Sequence, residues 1–233
     1  MEGAVLTRSP EKDRELARRL DAFGVPHTSV PLVEHAPGPD FPGLAGALGE
    51  GWAWVAVTSP TAARYLARAW EAAGRPPLRV AALGGGTARA LGRAGLSPEF
   101  TAPEAYGRAL AVSLPGAGPV LWPTSSRAGA ELGRILEERG FTVRRLDVYT
   151  TRPRKLLPKE RERLERARLA AFASPSAVEA WAAATPARPP VAAIGEVTAQ
   201  AAKGAGFVNV WFSPSPGIEG WARVILSVYR QYA

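Results

Sequence analysis

Short apolar runs recur along the chain, and each ends at a serine, threonine, glycine or proline. They are Ala4–Leu6, Trp54–Val57, Val80–Leu83, Val120–Trp122, Leu169–Phe172, Val191–Ile194 and Val208–Phe212. Their length and apolar character predict strands. A helical pattern follows each, as from Ala62 to Ala73 and from Ala128 to Arg139. Gly24, Gly74, Gly95, Gly140 and Gly206 fall where helix C-caps belong. A helix commonly closes on a left-handed residue, which glycine adopts without steric cost. Strand and helix in alternation predict an α/β protein with parallel sheets and helices on both faces.

The pattern repeats out of order. Trp54-Val-Ala-Val-Thr-Ser-Pro-Thr-Ala-Ala63 echoes Leu169-Ala-Ala-Phe-Ala-Ser-Pro-Ser-Ala-Val178, and Val80-Ala-Ala-Leu-Gly-Gly-Gly-Thr-Ala88 echoes Val191-Ala-Ala-Ile-Gly-Glu-Val-Thr-Ala199. A third pair is Val5-Leu6-Thr7-Arg8, leading to Leu16, Leu20 and Gly24, against Val120-Leu121-Trp122-Pro123, leading to Leu132, Leu136 and Gly140. One copy therefore begins at the N-terminus and resumes after residue 152, while the other runs without interruption. The expected organisation is a discontinuous α/β domain (1–33 and 153–233) with a similar α/β domain inserted (38–147). Residues 34–37 and 148–152 would be the hinge strands, because the chain must cross twice.

Composition removes several function classes. Among 233 residues there is no cysteine, which excludes disulfides, thiolate metal sites and cysteine nucleophiles. The two histidines, His27 and His35, lie in a Pro-flanked stretch and are expected in loop or linker. The net charge is +8, and residues 152–168 carry eight basic side chains against three acidic ones. Arg161/Glu165 and Glu162/Arg166 are spaced as helical i,i+4 pairs, so a solvated helix face is expected there. No arginine tract interleaved with aromatics points to nucleic acid. No run of ~18 apolar residues predicts a membrane span, and no basic-then-apolar start predicts a secretory signal. The default location is the cytoplasm.

Candidate chemistry gathers at the strand-to-helix turns. Ser9-Pro10, Ser59-Pro60, Thr87, Thr101, Thr124-Ser125-Ser126, Ser174-Pro175, Thr198 and Ser213-Pro214 place a hydroxyl at the end of each run. A hydroxyl cap followed by proline is a sound helix start by itself. As a set they say more. Open parallel sheets bind ligands beyond the strand carboxyl ends, where helix N-termini offer unpaired N–H groups. Two such edges facing each other would form a cleft suited to a ligand with many carboxylates or phosphates. Gly84-Gly85-Gly86 does not complete a dinucleotide fingerprint, because Arg89 stands where glycine or alanine is needed. Tyr149, in Val148-Tyr-Thr-Thr151 on the returning hinge strand, offers a phenol that can donate a proton or hydrogen bond.

These residues resemble the uroporphyrinogen-III synthase family. The resemblance is carried by Val5-Leu-Thr-Arg8, Val57-Thr-Ser-Pro-Thr-Ala62, Gly84-Gly-Gly-Thr-Ala88, Leu136 to Gly140 leading to Val148-Tyr-Thr-Thr151, Phe172-Ala-Ser-Pro-Ser-Ala177 and Ile194-Gly-Glu-Val-Thr-Ala199. It spans nearly the whole chain in order. It implies two flavodoxin-like domains joined by a two-stranded linker. It also implies a cofactor-free lyase that closes hydroxymethylbilane, a linear tetrapyrrole octacarboxylate, in an interdomain cleft. Ring D would be inverted through a spiro intermediate and water lost. Tyr149 matches the family's linker tyrosine, proposed to help the hydroxyl leave. Ser59, Thr87, Ser174 and Thr198 match turn residues that contact carboxylates, with neighbouring Pro60, Gly86, Pro175 and Ser176. Ser125, Ser126, Arg8 and Arg127 join them by position. The partner expectations are a monomer, transient contact with the enzyme that makes hydroxymethylbilane, no nucleic acid and no membrane. Two alternatives stay open: a non-catalytic two-domain polyanion-binding protein, and a nucleic-acid-binding regulator using residues 152–168.

Overall fold

In the computed structural model, which describes residues 2–104, 106–215 and 217–232, strand and helix alternate from the start. β1 (Glu2–Leu6), α1 (Pro10–Ala22) and β2 (His27–Ser29) lead into β3 (Val33–Pro37). Next come α2 (Phe41–Ala47), β4 (Trp54–Val57), α3 (Pro60–Ala72), β5 (Val80–Ala82), α4 (Gly84–Arg93) and β6 (Phe100–Thr101). They are followed by α5 (Gly107–Ser113), β7 (Gly118–Ser125), α6 (Glu131–Glu138) and the long β8 (Phe141–Pro153). α7 (Pro158–Glu165), β9 (Ala167–Phe172), α8 (Pro175–Ala184) and β10 (Val191–Ala193) come next, then α9 (Glu196–Gly204), β11 (Val210–Phe212) and α10 (Ile218–Gln231). No helix among the described residues is long and apolar enough to cross a membrane.

The chain divides into two compact units, Met1–Glu34 with Arg152–Ala233, and His35–Thr151. The discontinuous unit holds a parallel sheet ordered β11-β10-β9-β1-β2. Counted within that unit, the order is 2-1-3-4-5, the flavodoxin-like arrangement. The inserted unit orders its strands β3-β8-β7-β4-β5-β6, with β8, β7, β4, β5 and β6 paired in parallel. Matching the repeats pairs β7 with β1, β4 with β9 and β5 with β10, so the two units share one strand order.

Each sheet is buried on both faces, which is why its strands read as apolar runs rather than alternating ones. In β1, Val5 packs with residues of α8 and α9, while its neighbours Ala4 and Leu6 pack with α1 and α10. In β4, Val55 and Val57 face α3, while Trp54 and Ala56 face α5 and α6. Buried indoles keep their N–H groups satisfied, as buried polar groups must. Trp181 donates to the Ala187 carbonyl and Trp221 to the Ala192 carbonyl, both at 2.9 Å.

Three local outcomes differ from the hydrophobic pattern. First, α6 begins at Glu131 rather than Ala128. Arg145 donates to the carbonyls of Ser125 (3.2 Å) and Ala128 (2.9 Å) and holds that stretch as a turn. Second, the stretch around His35 carries no apolar run and yet is strand. Gly38 N–H donates to the Val148 carbonyl and Arg154 N–H to the Leu32 carbonyl, so β3 and β8 run antiparallel. Third, Arg161 donates to the Ala184 carbonyl (2.5 Å), whereas Glu162 and Arg166 do form their i,i+4 ion pair (3.2 Å). Nearby, Arg154 pairs with Glu160 at 2.6 Å and Arg152 with Glu34 at 2.8 Å. Burial works against the Glu160 charge, but the Leu157 amide and Arg154 hold its carboxyl below the ordinary range.

Candidate functional site

In the inserted unit, the carboxyl ends of β8, β7, β4 and β5 lie side by side because these strands are parallel neighbours. Tyr149 sits on β8 opposite Ser125 of β7, at a bulge between Thr124 and Ser125. The Ser126 N–H donates to the Tyr149 carbonyl at 2.9 Å. On the adjoining β4 end, Ser59 caps α3 by accepting the Ala62 N–H at 3.0 Å. The Ser59 and Tyr149 hydroxyls share a hydrogen bond at 3.0 Å. The Tyr149 ring stacks on Tyr65 (centroids 5.6 Å, 10° apart) and meets His35 edge-on at 5.4 Å. Only 8% of Tyr149 is exposed. Its phenol is therefore held in one orientation by groups on three elements.

The turn after β7 keeps Ser126 and Arg127 exposed, with the Arg127 N–H donating to Ser125 Oγ at 3.2 Å. Arg145 fixes this turn from behind and is itself held by Asp147 (2.8 Å) and the Trp122 ring (centroid at 5.4 Å). After β5, Gly84 takes φ +70°, a conformation strained for any residue with a Cβ. Gly85 and Gly86, next in the first turn of α4, are both exposed, while the Thr87 side chain is turned inward and only 2% exposed. What this turn exposes is backbone N–H, not the threonine hydroxyl. First-turn amides have no intrahelical acceptor and carry partial positive charge.

The discontinuous unit repeats the arrangement. Ser174 caps α8 with the same extended backbone as Ser59, accepting the Ala177 N–H at 3.3 Å, and its hydroxyl lies 3.0 Å from Ser176 Oγ. Pro175 occupies the first helical position, as Pro60 does in α3. After β10, Thr198 is only 4% exposed, and Glu196 and Val197 stand outermost. As after β5, the threonine itself is buried. Gly85-Gly86 in one turn and Glu196-Val197 in the other both lie in the first turn of a helix.

Arg8 is engaged within its own unit. It pairs with Asp13 at 2.7 Å, donates to the Lys12 carbonyl at 2.7 Å and lies over the Trp221 ring. Asp13 is fully buried. Burial raises its pKa, and Arg8 and Ser29 only partly oppose this. The folded state thus binds this proton more readily than the unfolded chain. The associated stabilisation is complete below the unfolded carboxylate range and fades as pH rises through the folded pKa. Urea unfolding of wild type and Asp13→Asn across acid to neutral pH checks this. The wild-type advantage is expected to be largest in acid and to shrink as pH rises; an advantage that grows with pH would contradict it.

The family model described as "Uroporphyrinogen-III synthase HemD" matches residues 14–223. A curated relative, "Uroporphyrinogen-III synthase, chloroplastic" from Oryza sativa subsp. japonica, is 35% identical over 244 residues, covering 98% of this chain and 81% of the relative. The chain belongs to the uroporphyrinogen-III synthase family. It is accordingly an enzyme of the lyase class. Solved synthases share the two-domain α/β fold. One from Helicobacter pylori matches at TM-score 0.70 and 18% identity, covering 98% of this chain and 100% of that one. A mutant synthase from Thermus thermophilus matches at TM-score 0.63 and 20% identity, covering 98% of each chain.

Tyr149, Ser59 and the Ser125-Ser126 turn are brought together; Thr87 and Thr198 are withdrawn behind their turns. The aromatic seat of Tyr149 escaped the sequence reading. His35 was expected in loop or linker, yet it lies on β3 with Nδ1 3.1 Å from Thr151 Oγ1. Tyr65 and Phe41, packed edge-on at 5.1 Å, complete the aromatic seat. The available signal was the helical spacing of Ala62, Leu66 and Ala69, which puts Tyr65 beside them on the buried face of α3.

Proposed function

We propose that this synthase closes hydroxymethylbilane to uroporphyrinogen III, inverting ring D and releasing water. Family membership supports the activity. The observation that carries the residue-level reading is Tyr149, whose phenol is fixed against Ser59 among exposed helix-start amides. In the proposed path the terminal C–O bond breaks, assisted by a proton from Tyr149, and water departs to leave an azafulvenium cation. The substituted carbon of ring D attacks it, giving a spiro intermediate. The original bond from that carbon to the methylene of the neighbouring ring then breaks, and ring D recloses onto that methylene through its other α-carbon. The proton lost from this carbon restores the pyrrole and balances the one given to the leaving hydroxyl. The sequence is redox-neutral.

Substrate carboxylates are assigned to the Gly86 turn and Ser125–Arg127 in one unit. In the other they go to the turn of Ser174, Pro175 and Ser176 and the amides before Thr198. Holding a flexible octacarboxylate in this way supplies orientation, which converts closure into a positioned unimolecular step. Arg8, bound to Asp13, is assigned to support rather than contact. The proposal includes action as a monomer in the cytoplasm and transient contact with the enzyme that makes the substrate.

The test is product identity. Freshly made hydroxymethylbilane is incubated with the protein, the products are oxidised, and isomers I and III are separated. Isomer III is expected to dominate. Isomer I alone, the product of unassisted closure, would sink the proposal and favour a polyanion-binding protein.

A further inference from the structure

We infer that Ser59 is a positioning residue for the leaving step, because it couples the N-terminus of α3 to the Tyr149 oxygen. This rests on the proposed role of Tyr149 as proton donor.

A serine hydroxyl has one proton and two acceptor sites. One acceptor site of Ser59 is taken by the Ala62 N–H at 3.0 Å. That amide lies in the first turn of a 13-residue helix, where backbone N–H groups carry partial positive charge. Accepting from it makes the Ser59 O–H a better donor, since hydrogen bonds in a chain polarise one another. The Tyr149 oxygen is 3.0 Å away on the other side. Stacking on Tyr65 and the edge contact with His35 leave the phenol little freedom to turn away.

As Tyr149 passes its proton to the departing hydroxyl, the phenolic O–H bond breaks and negative charge grows on the phenolic oxygen. The Ser59 O–H then donates to an anion, and charge-assisted hydrogen bonds are roughly twice as strong as neutral ones. The bond is thus stronger in the transition state than in the ground state, the condition for raising kcat. Ser59 gives up no proton in the process. The one released from ring D restores Tyr149. Ser59 was read from sequence as a carboxylate contact; its geometry assigns it instead to the phenol.

The full chain is assayed with fresh hydroxymethylbilane as a double-mutant cycle. Ser59→Ala is expected to lower kcat about 10- to 100-fold, toward the low end for loss of an oxyanion donor, with KM held. Ser59→Thr, which keeps the hydroxyl, should restore most of the rate. In a Tyr149→Phe background, Ser59→Ala should have no further effect. Should Ser59→Ala lose its cooperative melt, Ser59→Gly removes the hydroxyl but keeps a tolerated cap residue, and should show the same loss. A rise in KM with kcat intact would make Ser59 a carboxylate contact and overturn the inference. Equal losses in both backgrounds would reduce it to a helix cap and overturn it too. If Tyr149→Phe slows turnover while Ser59→Ala does not, the inference falls alone. If Tyr149→Phe leaves kcat intact, the donor role falls and takes the inference with it.

Discussion

Tyr149→Phe is expected to lower kcat about 100-fold or more, within the usual range for a general acid, while leaving KM near the wild-type value. The phenylalanine ring keeps the stacking on Tyr65 and the contact with His35, so the strand and its neighbours stay in place. Only the hydroxyl and its bond to Ser59 are lost. A typical hydrogen bond contributes about 0.5–1.5 kcal/mol net, which is too little to unfold the unit. Steady-state kinetics at saturating hydroxymethylbilane separate the two effects. Unchanged turnover there would remove Tyr149 from the chemistry.

Gly38→Ala is expected to cost about 1–3 kcal/mol, as overpacking does, and to lower turnover as well. A Cβ at residue 38 would run into the Asp147 carbonyl and lie 2.8 Å from the Tyr149 amide nitrogen. Both are backbone atoms of β8, so no rotamer change relieves the clash. The same stretch is zipped shut by Gly38 N–H to the Val148 carbonyl (2.9 Å) and by the Asp147 N–H to Asp40 Oδ2 (2.7 Å). Relief must come from moving β8 where it carries Tyr149. Gly43→Ala is the control, because a Cβ there meets nothing within 4 Å. Urea melts and kcat for both variants decide it. A Gly38→Ala protein with wild-type stability and rate would show that β8 yields freely.

The layered fold was legible because its strands are buried on both faces and therefore stand out as apolar runs. The Trp54–Val57 run coincides with β4, and the glycines that mark helix ends do take positive φ, as Gly24 (65°) and Gly140 (86°) show. β2 and β3 carry no apolar signature, because their residues are only partly buried, and a strand at 34–37 was expected only because the chain must cross there. At the site, Ser-Pro caps announce themselves locally, and Ser59 and Ser174 behave as such. The inward turn of Thr87 and Thr198 depends on how the helix packs on the sheet, which spacing alone does not specify. The seat of Tyr149 joins His35, Tyr65 and residue 149 across more than 80 positions of sequence, and no local pattern connects them.

The pairing of β1 with β9 has a consequence for synthesis on the ribosome. Glu2 stands opposite Ala167 and Leu6 opposite Ala171. The first strand thus emerges more than 160 residues before the partner that sits between it and β10. The whole of His35–Thr151 is released in the meantime. The nascent chain can complete its middle first, while the β9-facing edge of β1 waits unpaired, the interval in which a chaperone has something to hold.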